Sequence, residues 1–145
     1  MTRVNNCDIP DDLLYQVEKH VWVKPDADGS AWIGITDIAQ KLAGRIIVVT
    51  AKRQGRAITR GQSVGTVESS KFVGPVPSPL TGEIVDVNAA LAENPGVLNQ
   101  DPYGNWIVRL LPANWDEESK ELVTGPEGVE AYRRLLEAEG IDCAS

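Results

Sequence analysis

The sequence contains few of the residues that build metal centres, disulfide frameworks and catalytic sites. Its 145 residues include two cysteines and one histidine. Cys7 and Cys143 lie near opposite ends of the chain, which excludes a C-x-x-C metal motif. The sequence has neither a glycine-rich phosphate loop nor a G-x-S-x-G motif, so it offers little for nucleophilic or acid/base catalysis. We expect neither a metal ion nor an enzyme activity of the chain's own.

Long apolar runs are also missing. No stretch approaches the roughly 18 residues that a membrane helix needs, and residues 1–7 lack the apolar core of a signal peptide. The 14 basic and 21 acidic residues give a net charge of −7, which argues against nucleic acid or an anionic membrane as the main partner. We therefore expect a cytoplasmic protein.

The composition is that of one compact domain, with 42% hydrophobic and 24% charged residues. From residue 20 to 111, short β-branched runs alternate with glycine and proline turns, which predicts a mainly β core. The expected strands are residues 21–23, 31–35, 45–49, 63–68, 83–87 and 106–110.

Helices are predicted around this core. Thr36 is a suitable N-cap and Gly44 a suitable end for a short helix between them. Residues 127–139 place apolar side chains at helical spacing, with Gly140 beyond them. We expect residues 1–19 to form a helical lead and residues 112–145 a helical C-terminal segment.

A hairpin is predicted from Val64 to Val73, with Lys71 at or beside its tip. Prolines at positions 75, 77 and 79 suit a returning strand that forms ladder bonds on one side only. Residues 45–80 carry six basic side chains and one acidic one. The surplus fits either a solvated loop or a face that meets an acidic partner.

Four ordered motifs carry a family resemblance. They are His20-Val21-Trp22-Val23, residues 34–40 (Gly-Ile-Thr-Asp-Ile-Ala-Gln), residues 67–72 (Val-Glu-Ser-Ser-Lys-Phe) with Pro79-Leu80-Thr81-Gly82, and residues 99–106 (Asn-Gln-Asp-Pro-Tyr-Gly-Asn-Trp). With these motifs the sequence resembles the H proteins of the glycine cleavage system. We interpret His20 and Trp22 as satisfied core residues at a strand start, and Trp32 and Trp106 as packing residues.

This resemblance implies a lipoyl/biotinyl-type flattened β-barrel, also called a barrel-sandwich hybrid, with short flanking helices and a C-terminal helix. It also implies that Lys71 carries lipoate through an amide bond as a swinging arm. The residues around the lysine that a modifying enzyme would recognise are Glu68, Ser69, Ser70 and Phe72, and the alternative for Glu68 is an edge-strand charge. Lipoate ligase or lipoyl-assembly enzymes would then be partners, and a mobile carrier is most useful as a monomer.

Some residues depart from the glycine-cleavage pattern. Val21 stands where that family usually has Glu, and the segment from Ala51 to Arg56, interpreted as a hairpin, is basic rather than acidic. With Cys7, Cys143 and the Phe72-Val73-Gly74-Pro75 sequence, these features resemble the H-like lipoate-binding proteins of bacterial and archaeal sulfur oxidation. That resemblance implies a heterodisulfide-reductase-like complex and dihydrolipoamide dehydrogenase as partners. The alternative is aminomethyl transfer between glycine decarboxylase and aminomethyltransferase, and a more remote one is an unmodified binding module.

The two cysteines have three interpretations. Cys7 and Cys143 are expected to be unrelated free thiols, because the cytosol keeps thiols reduced. They would otherwise form a bond joining the chain ends, or provide a thiol that meets the swinging arm.

Overall fold

The protein is described by a computed structural model that covers residues 2–144. Its strands are β1 (Thr2–Val4), β2 (Cys7–Ile9), β3 (Leu14–Gln16), β4 (Val21–Pro25), β5 (Ala31–Ile35), β6 (Ile46–Ala51), β7 (Ala57–Ile58), β8 (Ser63–Ser69), β9 (Val73–Pro77), β10 (Gly82–Val87), β11 (Val108–Pro112) and β12 (Val123–Thr124). The helices are α1 (Asp37–Ala43), α2 (Ala90–Glu93), α3 (Val97–Gln100), α4 (Trp115–Glu118) and α5 (Gly125–Glu139). Short 3₁₀ segments occupy Val17–Lys19 and Ser119–Glu121.

These strands form three antiparallel sheets. The largest has seven strands in the order β12-β3-β4-β5-β11-β10-β7, the second has the order β6-β8-β9, and the third is the β1-β2 hairpin. Buried side chains from the first two sheets, such as Ile33 and Val67, belong to one hydrophobic cluster. The prediction of a mainly β fold is confirmed, and so are the positions of the predicted strands, except that the last begins at Val108 rather than residue 106.

The predicted helical lead is wrong. Residues 2–9 form the β1-β2 hairpin, and β3 joins the seven-stranded sheet. Asn5 and Asn6 link β1 to β2 with φ values of 48° and 63°, as a two-residue hairpin turn requires. Side chains of the two strands alternate between solvent and the protein interior, and this alternation buries Val4, Cys7 and Ile9. A helix would not place these three side chains on one face.

The C-terminal segment is helical only in part. β12 pairs with β3 at the edge of the seven-stranded sheet before α5 begins. Tyr132 and Leu136 of α5 are fully buried in a second cluster, together with Tyr15 and Trp22. Gly140, with φ 67°, ends the helix in the left-handed conformation. Within residues 2–144, no helix is both long and apolar enough to cross a membrane.

Helix α1 has the predicted ends. The Thr36 hydroxyl accepts a hydrogen bond from the Ala39 backbone N–H at 3.3 Å, and Gly44 ends the helix with φ 80°. The Tyr103 hydroxyl accepts from the Asp37 N–H and donates to the carbonyl of Asp8, which fixes α1 against the N-terminal hairpin. α1 is therefore held firmly at the end farther from Gly44.

Candidate functional site

Lys71 lies in the turn that joins β8 to β9. The Ser69 backbone N–H donates to the Phe72 carbonyl at 2.7 Å, which closes a four-residue turn with Lys71 at its third position. The side chain of Lys71 is exposed. The structure therefore places this amine at the tip of a hairpin, as the sequence predicts.

The hydroxyl of Ser69 attaches this turn to the body. It donates to the Ala43 carbonyl at 2.6 Å and accepts from the Lys71 N–H at 3.3 Å. Ser69 is buried, with 7% of its surface exposed. The first bond satisfies a carbonyl at the C-terminal end of α1 that has no partner within the helix. Ser69 thus holds Lys71 at a fixed place beside α1.

Gly44 and Asn99 complete the attachment. A Cβ at Gly44 would lie 2.8 Å from Cε of Lys71, so the lysine side chain rests directly on the glycine. Asn99 donates to the Gly44 carbonyl at 2.8 Å and accepts from the Ile46 N–H at 2.9 Å. The sequence alone does not mark Asn99 as a site residue, although it begins one of the four motifs. Its contacts support the backbone on which Lys71 lies.

An apolar groove of about 190 Å³ runs beside α1 and β9. Among the described residues that line it, none is acidic. These are Lys19, His20, Val21, Ile35, Ala39, Leu42, Ala43, Val67, Phe72, Gly74, Pro75, Val76 and Pro77. The Phe72 ring belongs both to the hairpin turn and to the groove wall, so the groove begins at the residue that follows Lys71.

His20 is not the satisfied core residue that the sequence suggested. Its Nδ1 atom is buried without a hydrogen-bond partner among residues 2–144. The ring stacks on Tyr132 at a centroid distance of 6.0 Å and also lines the groove. Burial lowers the pKa of His20 below its ordinary value, against a smaller raising effect of Glu139. Trp22 is buried as predicted and donates to the Pro102 carbonyl at 3.2 Å.

The other predicted recognition residues have different environments. Glu68 lies on β8 between Val48 and Val73 of the neighbouring strands, and Ser70 is exposed in the turn. Both are accessible near the lysine, unlike Ser69. Phe72 is 45% exposed.

The basic segment is not a hairpin and lies away from Lys71. β6 pairs with β8, whereas β7 pairs with β10, so residues 52–56 connect two different sheets. Lys52 follows the end of β6 opposite to the Lys71 turn. The six residues of β6 separate these ends by roughly 20 Å at the rise of a β-strand. Arg60 is paired with Glu121 at 3.0 Å. Of the basic residues between positions 45 and 80, Lys52, Arg53 and Arg56 therefore lie away from Lys71, whereas Arg45 directly follows Gly44, against which Lys71 lies.

Cys7 and Cys143 form a disulfide, so the prediction of two free thiols is wrong. Their Cα atoms are 5.0 Å apart, although 136 positions separate them in sequence. The Cys143 N–H also donates to the Asn5 carbonyl at 3.0 Å. Two structural features bring the cysteines together, namely the β1-β2 hairpin and the tail that turns back after Gly140.

A mainly β barrel-sandwich with a lysine at a hairpin tip defines the lipoyl/biotinyl class of carrier fold. Comparison with known families matches residues 14–137 to the glycine cleavage H-protein family. The chain therefore belongs to the glycine cleavage H-protein family. Members of this family carry lipoate covalently on a lysine and act as carriers rather than catalysts, which agrees with the cofactor predicted from the sequence.

Individual relatives agree with this assignment. The chain is 45% identical over 146 residues to the probable glycine cleavage system H protein 2 of Sulfurisphaera tokodaii, covering 99% of this chain and 98% of that protein. It is 42% identical over 148 residues to the glycine cleavage system H protein 5 of Aquifex aeolicus, covering 99% of both. A crystal structure of the H protein from Mycobacterium marinum superposes with a TM-score of 0.74 at 33% identity, covering 86% of this chain and 98% of that one. This neighbour confirms the predicted barrel-sandwich fold.

Proposed function

We propose that this chain is a lipoyl carrier of the glycine-cleavage type and that Lys71 bears the lipoyl group. The observation that carries this proposal is the exposed amine at the tip of a hairpin, held against α1 by Ser69 and adjacent to an apolar groove. A ligase can reach an amine at such a position, and the bound arm can swing between partner enzymes. Tethering raises the effective concentration of the cargo at each partner.

The surroundings of Lys71 suit a lipoyl group. Acylation removes the charge of the lysine, so the arm can lie on apolar surface without the cost of burying an ammonium. Phe72 and Leu42, 45% and 47% exposed, offer such surface at the start of the groove. When bound, lipoate supplies a disulfide that can be reduced and can carry a group on sulfur. The chain itself positions the arm and provides the groove.

In the glycine-cleavage function, the arm would carry an aminomethyl group from glycine decarboxylase to aminomethyltransferase. Dihydrolipoamide dehydrogenase would reoxidise the arm, and lipoate ligase or lipoyl-assembly enzymes would load it. The similarity to relatives named as glycine cleavage H proteins supports this assignment.

One observation favours a second candidate, transport of a sulfur species to a heterodisulfide-reductase-like complex. An aminomethyl group is a cation at neutral pH, and a carboxylate would stabilise it. The groove lining instead includes Val21 and the cation Lys19, and none of the described residues that line the groove is acidic. Such a lining suits an uncharged or anionic cargo better.

Two mass measurements test these functions. Peptide mapping of the protein from a lipoylating host should find lipoate on Lys71, and Lys71→Arg should fold normally but remain unmodified. Lys52→Arg, at the opposite end of β6, is the matched control and should be lipoylated fully. Lipoate on another lysine, or on none, contradicts the proposal.

The cargo is decided with the lipoylated protein and an active glycine decarboxylase. A mass gain of one aminomethyl group after incubation with glycine supports the glycine-cleavage function. No gain from a verified lipoylated sample favours the sulfur candidate.

A further inference from the structure

His20 combines features that its role in packing does not explain. Its backbone, with φ 57°, ends the 3₁₀ segment Val17–Lys19 in the left-handed conformation, which fixes its position beside the groove. Its buried Nδ1 has no hydrogen-bond partner among the described residues, although such atoms are nearly always paired. It is also the only histidine in the sequence and lines the groove beside the hairpin that bears Lys71.

Helix α1 spans the distance between Lys71 and His20. Gly44 at one end of α1 lies against Cε of Lys71, and Thr36 at the other end donates its backbone N–H to the His20 carbonyl at 3.0 Å. The seven residues of α1 rise by about 10 Å. Seven to nine bonds separate the lysine Nζ from the two sulfurs of a lipoyl group, about 10 Å when extended at ordinary bond lengths. An arm lying along α1 in the groove is therefore long enough to bring its sulfurs to His20.

We propose that His20 accepts a proton at Nε2 from a thiol of the reduced arm, a role that rests on the proposed lipoylation of Lys71. The S–H bond breaks and an N–H bond forms, so a neutral thiol and a neutral imidazole become a thiolate and an imidazolium, with no other reactant. Because Nδ1 is buried and His20 lines the groove, we assign the exchange of this proton to Nε2. The thiolate is the nucleophile in disulfide exchange and in loading of cargo.

The charges around the ring fit this role. Burial lowers the pKa of His20, so the ring is unprotonated at neutral pH in the absence of the arm. The same burial opposes the imidazolium, and a thiolate formed beside the ring would offset that cost. Glu139 of α5 favours the imidazolium, and Tyr132 of the same helix lies against the ring as an uncharged phenol. Lys19, the preceding residue, also lines the groove and favours an anionic sulfur there.

The rate of alkylation of the arm tests the proposal without any partner enzyme. Lipoylated wild type and His20→Asn are reduced with a phosphine and treated with iodoacetamide between pH 6 and pH 11, and alkylation is followed on the Lys71 peptide by mass. Asparagine tolerates the left-handed backbone but does not titrate in this range. For a thiol pKa lowered by one unit, the thiolate is about tenfold more populated at pH 7 while its nucleophilicity falls about threefold.

We therefore expect the arm of the wild type to react about threefold faster than the arm of His20→Asn at pH 7. Above pH 10, where the thiols of both proteins are ionised, the wild type should react about threefold more slowly. Identical pH profiles for the two proteins would overturn the proposal. If His20→Asn does not fold, His20→Gln replaces it.

A comparison within the wild type needs no variant. The arm of the folded protein should titrate at lower pH than the arm of the same protein unfolded in urea, and coinciding profiles would overturn the role of His20. Absence of lipoate from Lys71 would refute the proposed function, whereas a lipoylated Lys71 with an unshifted profile would refute the role of His20 alone.

Discussion

Reduction of the Cys7–Cys143 disulfide should destabilise the protein substantially. The bond closes a loop with a sequence separation of 136 residues, nearly the whole chain. The chain-entropy relation gives about 5 kcal/mol for a loop of this length, and disulfides in proteins typically contribute about 2–4 kcal/mol. Across 145 residues the entropy of unfolding is about 300 cal/mol/K, so a loss of about 2 to 5 kcal/mol should lower the melting temperature by about 7 to 16 °C.

Thermal unfolding with and without a phosphine reductant measures this difference. Cys143→Ala should unfold at the temperature of the reduced wild type, and the reductant should not lower it further. Position 143 is the better choice because Cys143 is only half-buried, whereas Cys7 is fully buried and its replacement would also disturb packing. If oxidised and reduced wild type unfold at the same temperature, the hydrogen bonds between tail and hairpin hold the ends together without the covalent bond, and the loop-closure reasoning is refuted.

Three further changes have defined outcomes. Ser69→Ala leaves the Ala43 carbonyl and the Lys71 N–H without their partner, so it should lower the free energy of unfolding in urea by about 1–3 kcal/mol. Ser70→Ala, in the exposed turn, is the control and should leave stability unchanged. Equal effects of the two substitutions would show that the Ser69 contacts are unimportant. Gly34→Ala places a Cβ closer to the indole of Trp22 than van der Waals contact allows and should cost about 1–3 kcal/mol by the same assay. Gly96→Ala, in open space, is the control, and a neutral Gly34→Ala would contradict the packing described. The folded-state pKa of His20 lies below its ordinary value of 6.5, so the unfolded chain takes up the proton first and stability falls as the pH drops through 6.5 toward the folded-state pKa. His20→Asn should remove this part of the pH dependence of unfolding, and an unchanged profile would refute the assignment.

The features that the sequence predicted are local. Thr36 and Gly44 bound α1 because capping depends on neighbouring backbone groups, and the Lys71 turn followed from a β-branched run, a short polar segment and alternating prolines. The β1-β2 hairpin escaped prediction because each of its strands has three residues, too few to show a period of two.

Features that depend on distant parts of the chain could not be predicted in the same way. The spacing of Cys7 and Cys143 does not reveal their bond, which follows from the position of the tail after α5. Residues 52–56 lie between two strands, as the loop of a hairpin would. The two strands belong to separate sheets, however, because β6 pairs with β8 and β7 pairs with β10. The unpaired Nδ1 of His20 is likewise a property of the assembled fold.

The prolines of β9 also affect how a mobile carrier behaves in a crowded cell. β9 is an edge strand, and Pro75 and Pro77 occupy alternate positions, so both of their nitrogens lie on the same side of the strand. Since β9 pairs with β8 along its other side, the outer edge lacks an amide donor at Pro75 and at Pro77, where another strand would add. The two prolines therefore hinder extension of the strand that follows Lys71 into an intermolecular sheet.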